Sequence, residues 1–65
     1  MTIDPDELVP SDEAARKMHQ RPETLTAWRH ERRGPAYVKI GRKVFYRRND
    51  IAAWLGAQRR DPGAP

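Results

Sequence analysis

The sequence predicts a small, mainly α-helical domain with one β-hairpin. Three observations predict it. Apolar residues recur at helical spacing in three stretches: Ala14, Ala15 and Met18; Leu25 and Trp28; and Ile51, Trp54 and Leu55. Glycine and proline interrupt the pattern between the second and third stretches, most firmly at Gly34-Pro35. The segment YVKIGRKVFYRR, residues 37–48, interleaves strand-favouring Val38, Ile40, Val44 and Tyr46 with five cations, around Gly41.

The chain of 65 residues allows one domain. A core of this size supplies roughly 3–5 kcal/mol of net stability. There is no cysteine, which excludes a disulfide staple and a zinc–thiolate site. No stretch approaches the ~20 apolar residues that cross a bilayer. The opening MTIDPDELVP is acidic and lacks the apolar run of a signal peptide. A cytoplasmic protein without a membrane partner is expected. Residues 1–7 read as a flexible acidic lead, residues 8–60 as the folded domain, and residues 61–65, DPGAP, as a disordered tail.

The first helix is expected to start at "LVPS", with Ser11 as N-cap and Asp12 and Glu13 at the positive end of its dipole. Arg16 and Lys17 face outward. The second helix starts at Pro22, a residue suited to the first helical position. Leu25 and Trp28 form its buried stripe; Glu23, Thr26, Ala27 and His30, with Arg29 at the margin, form its outer face. His19, Gln20 and Arg21 leave a turn of helix-turn-helix length between the two. The third helix turns Ile51, Trp54 and Leu55 inward. Arg47, Arg48 and Asn49 are each candidates for its cap, with Asp50 in its first turn.

Two registers are open to the hairpin. A two-residue turn at Gly41-Arg42 sets Val38 opposite Phe45 and Ile40 opposite Lys43. A three-residue loop sets Val38 opposite Tyr46 and Ile40 opposite Val44. The second gathers four apolar residues on one face and is the expected one. It leaves Tyr37 and Phe45 together on the other face, to pack under the N-terminal segment near Leu8 or Val9, or to meet a protein partner.

The net charge of +4 hides an asymmetry. The first 13 residues carry five acids and no Lys or Arg; residues 14–60 carry all 13 cations against three acids. Such a basic body fits a polyanion. A solvated basic surface in an arginine-rich protein is the alternative. Helix, short turn, helix and basic hairpin together describe a winged helix-turn-helix. In that arrangement the second helix enters the major groove and the hairpin lies along the phosphates. Arg21, Glu23, Thr24, Thr26, Ala27 and His30 are then the candidates for the groove. Arg16, Arg29, Arg33, Lys39, Arg42, Lys43, Arg47 and Arg48 are the candidates for the phosphate backbone. Glu23 can accept from cytosine N4, or simply favour the first turn. Both tryptophans and Tyr46 are expected in the core rather than stacked on bases. His19 and His30 have no metal-ligand companions. No nucleophile–base pair, phosphate loop or carboxylate cluster appears. A non-enzymatic protein without a cofactor or metal is expected, with double-stranded DNA as partner.

The ordered set Ala14-Ala15, Pro22, Thr24-Leu25, Trp28, Gly34-Pro35, Lys39-Ile40-Gly41, Tyr46-Arg47, Asp50-Ile51 and Trp54-Leu55 resembles a known family. It is that of the excisionases, or recombination directionality factors, of phages and mobile elements, built on a MerR-like winged helix-turn-helix. The resemblance covers about residues 8–58. It implies a protein that binds near an attachment site, often as several head-to-tail copies, bends the DNA and helps a phage integrase run excision. Abundant Arg, Ala and Pro point to an actinobacterial phage. The chain departs from the family in the turn: His19 replaces Gly, Gln20 an apolar residue, and Arg21 a capping Ser or Thr. Either Arg21 exchanges a cap for a phosphate contact, or the turn has shifted. A small transcriptional regulator on the same scaffold and an acidic-protein binder remain the alternatives. The small size favours the architectural role. Weak self-association on DNA is expected through Asp4, Asp6 and Glu7 of one copy and the basic face of the next.

Overall fold

The computed structural model describes residues 2–63. Met1 of the expected lead, and Ala64 and Pro65 of the expected tail, lie outside the described residues. The chain runs from a 3-10 turn, Pro5–Glu7, into strand β1 (Leu8–Pro10), helices α1 (Ser11–Lys17) and α2 (Pro22–Glu31), strands β2 (Val38–Ile40) and β3 (Lys43–Arg47), and helix α3 (Arg48–Ala57). This is a small winged helix-turn-helix.

The wing holds three strands rather than the expected two. They are all antiparallel, in the order β1-β3-β2. Val9 pairs with Tyr46 in the added strand, and both are fully buried, at 0% and 1% exposure. The segment before β1 has structure as well. The Asp4 carboxylate accepts from the Asp6 N–H and Glu7 reaches back to the Asp4 N–H, a reciprocal capping box. Glu7 Oε2 also accepts from Nη2 of Arg47 at 3.0 Å. The expected boundary after residue 7 thus runs through residues that contact the sheet. The reason is local: acids spaced by three around a proline build a capped turn.

The hairpin takes the two-residue register, which corrects the expected three-residue loop. Val38 opposes Phe45, Lys39 opposes Val44 and Ile40 opposes Lys43. Gly41 has φ +62° while Arg42 is not in the left-handed region, the signature of a type II′ turn. That turn needs one residue with positive φ and has a glycine there; open space surrounds Gly41, so conformation alone requires it. Counting apolar residues on one face misled because β1 was not included. Val9 supplies the apolar partner for Tyr46, and Val38 and Phe45 are free to share the opposite face, beside Pro10. Tyr37 and Phe45 consequently lie on opposite faces, not on one.

The core consists of Val9, Ala14, Ala15, Met18, Leu25, Tyr46 and Ile51. Trp28, Val44 and Trp54 are half-buried against it. The two indoles meet at 5.5 Å between ring centroids, tilted by 42°. Leu55, expected to face inward, is exposed. A ten-residue helix docked through Ile51 and Trp54 presents too narrow a buried stripe to cover it.

Helices α1 and α2 end in the same device. Gln20 N–H donates to Ala15 O and His19 N–H to Arg16 O; Arg33 N–H donates to Trp28 O and Arg32 N–H to Arg29 O. These are paired Schellman bonds, with His19 (φ +56°) and Arg32 (φ +59°) in the left-handed position that glycine usually fills. The turn between α1 and α2 therefore holds His19 in the left-handed conformation that a glycine would adopt there. Helix α2 ends at Glu31, before the Gly34-Pro35 stop. Ser11 is the first helical residue, not the cap; its hydroxyl accepts from Arg29 instead.

Candidate nucleic-acid interface

Helix α2 turns Leu25 into the core and half-buries Thr24, Trp28 and Arg29. Glu23, Thr26, Ala27 and His30 lie along one exposed stripe, at the i, i+3, i+4, i+7 spacing of a helix face. Arg21 precedes the helix in extended conformation and makes no capping bond. It is exposed, consistent with a cation released from capping.

The corrected register turns Lys39 and Val44 to the same side as Tyr46, toward α2. A cleft of about 230 Å³ results, lined by Thr26, Arg29 and His30 of α2 and by Tyr37, Lys39, Arg42 and Val44 of the wing. Five of the expected contact residues thus meet in one place: Thr26, His30, Arg29, Lys39 and Arg42.

Arg29, one of the expected phosphate-backbone candidates, is held by bonds within the fold. Its Nη1 donates to Ser11 Oγ at 3.2 Å and to Tyr46 Oη at 2.9 Å, and its Nη2 to Thr26 Oγ1 at 3.1 Å. It also lies 5.8 Å from the Tyr37 ring centroid. One side chain therefore ties together α1, α2, β3 and the approach to β2. Thr26 is correspondingly occupied, since its hydroxyl donates to Pro22 O at 3.3 Å while accepting from Arg29. Among the described residues, Glu23, Ala27 and His30 are the side chains of that exposed stripe that make no such bond.

Other expected contacts lie elsewhere. Arg47 points to the sheet's opposite face, where its Nε and Nη2 both donate to Glu7 Oε2, at 3.2 and 3.0 Å. The pair is about three-quarters buried, at 19% and 25% side-chain exposure. This removes Arg47 from the wing's free charge. Lys43 is exposed on that same face, beside Pro10, Asp12 and Phe45. Arg33 covers the Trp28 ring at 5.2 Å and approaches Glu31 at 3.6 Å. Arg16 and Arg48 are exposed outside the cleft.

Sequence reasoning did not place Tyr37 in this site. It is 45% exposed, lines the cleft, and has its ring 6.2 Å from that of Tyr46. The signal was available in the two-residue register, which puts residue 37 opposite residue 46. Among the described residues no three His, Cys, Asp or Glu side chains cluster to hold a metal, and no helix is long and apolar enough to cross a membrane.

An exposed helix face beside a cationic wing defines a DNA-binding winged helix-turn-helix domain. A family model described as a helix-turn-helix domain matches residues 11–59, and the chain belongs to that family, which includes excisionase-like DNA-binding proteins. No curated protein and no solved structure matches it significantly. Family membership supports sequence-specific binding of double-stranded DNA, in a family that is typically non-enzymatic.

Proposed function

We propose that the protein acts on DNA as an excisionase. It binds duplex near an attachment site through α2 in the major groove and the wing on the phosphates. Several copies bend the DNA so that an integrase of the same element assembles for excision. The observation that carries the DNA-contacting part is the shared cleft of α2 and wing, with Lys39 and Arg42 beside His30. The ordered motif set from Ala14 to Leu55 supports the excisionase assignment.

A single small domain covers little DNA, so neighbouring copies supply added specificity. The N-terminal acids provide the contact. Asp4 and Asp6 are exposed, whereas Glu7 is held by Arg47, so the head-to-tail contact rests on the first two. Bending has an elastic cost of order 1–6 kcal/mol, offset by the contacts that the bend brings together.

An in vitro recombination assay with the integrase of the same element tests this reading. Excision is expected to depend on added protein. Equal excision with and without it rejects the excisionase role and leaves a transcriptional regulator on the same scaffold.

A further inference from the structure

Arg29 combines three properties. Its guanidinium is half-buried at the edge of the cleft. Its partners Ser11, Thr26 and Tyr46 are all neutral hydroxyls. Among the described residues, the ion pairs are Arg33–Glu31 and Arg47–Glu7, so no carboxylate compensates Arg29. A partly desolvated charge with only neutral acceptors gains more from an incoming anion than a fully hydrated one does.

The donor count leads to the same place. A guanidinium has five N–H groups in a rigid fork. Nη1 spends both on Ser11 and Tyr46, and Nη2 spends one on Thr26. Among the described residues, the Nε–H and one Nη2–H have no acceptor. Two free donors on one guanidinium can take an incoming phosphate through charge-assisted bonds. Lys39, Arg42, His30 and Tyr37 line the same cleft.

We propose that this cleft seats one phosphodiester phosphate of duplex DNA, with Arg29 as its fixed charge and Lys39 and Arg42 as its mobile rim. The three hydroxyls hold the fork in place before DNA arrives, so little side-chain entropy is lost on binding. Tyr46 is the positioning residue: buried in the core, it orients Arg29 without reaching the phosphate. The seat lies between α2 and the wing, so the phosphate it takes sets the depth of α2 in the groove. The inference rests on the DNA-binding reading above.

The test uses the full chain and a random-sequence duplex of about 20 base pairs, with affinity measured across a salt series. Arg29→Gln is expected to weaken binding and to lower the log–log slope by about one, the loss of one displaced counterion. Tyr46→Phe is expected to weaken binding with the slope unchanged, because it removes an orienting acceptor and no charge. An unchanged slope for Arg29→Gln overturns the seat and leaves Arg29 as an internal brace. A second measurement does not depend on any variant folding. In the wild-type protein the Arg29 Nε–H resonance is expected to shift when duplex is added; an unmoved resonance in the DNA-bound protein also overturns the seat. Wild-type protein that fails to bind duplex rejects the DNA reading itself, and the seat with it.

Discussion

Gly34 stands where a side chain meets two obstacles. Its φ is +84°, and a Cβ built there falls 2.7 Å from Cε3 of Trp28. Gly34→Ala is therefore expected to destabilise the protein by about 2–3 kcal/mol, combining left-handed strain with overpacking. Urea denaturation measures it; a loss below half a kcal/mol places the indole as free to move aside. His19 and Arg32 present the converse case. Each holds a left-handed conformation that glycine adopts without strain. His19→Gly and Arg32→Gly are each expected to stabilise by roughly 0.5–1 kcal/mol, the strain relieved less the added freedom of the unfolded glycine. Thermal melts that move downward for both place the strain elsewhere. At this scale the sequence was partly legible. His19 could be assigned to the glycine position by motif alignment. Ser11 could not be separated from a cap, because the acceptor role it plays depends on Arg29, which lies 18 residues away in the chain.

Strand β1 is the element whose importance reaches furthest beyond its three residues. It supplies the buried Val9 and covers the edge of β3 that would otherwise be open. The family match begins at residue 11, after this strand. A chain starting at Ser11 is expected to be unfolded at 25 °C, since losing a buried valine and a strand ladder rivals the roughly 3–5 kcal/mol available. Circular dichroism of that truncation decides the matter; a cooperative melt from it means that β1 is dispensable. The tryptophans link α2 to α3 in a similar way. Both are half-buried, so Trp28→Ala or Trp54→Ala is expected to cost about 2–3 kcal/mol, below the ~3–5 typical of a fully enclosed aromatic. A Trp54→Ala protein of unchanged stability but lost DNA affinity reassigns that indole to the interface.

For the molecule as a whole, the relevant quantity is the number of cations that reach DNA. Arg47 is paired with Glu7 behind the sheet, and Lys43 is displayed on that same back face. With about five phosphate contacts remaining, the log–log slope of affinity against salt is expected near −4 to −5. A slope near zero rejects DNA as the partner. The two faces of the wing should also respond differently. Lys39→Gln is expected to lower the slope by about one, whereas Arg47→Gln should leave it unchanged and reduce stability instead, through the loss of its pair with Glu7. Slope losses in the reverse order would mean that the DNA lies against the opposite face of the sheet.

By itself, the sequence determined the features carried by short-range physics. Apolar spacing placed the helices, Pro22 marked the start of α2, Gly41 marked the turn, and the charge asymmetry pointed to a polyanion. The first three depend on neighbours within a few residues, and the last on composition along the chain. The tertiary structure decided what depends on distant partners: a third strand, the hairpin register, the separation of Tyr37 from Phe45, and the division of the arginines. Thirteen cations look alike along a chain. Folding distinguishes them by bringing Glu7 to Arg47 across 40 residues and three hydroxyls to Arg29, two of them from other elements. Whether an arginine braces the fold, neutralises an acid or awaits a phosphate is set by those encounters, because a charge acts on what lies within a few ångströms in space.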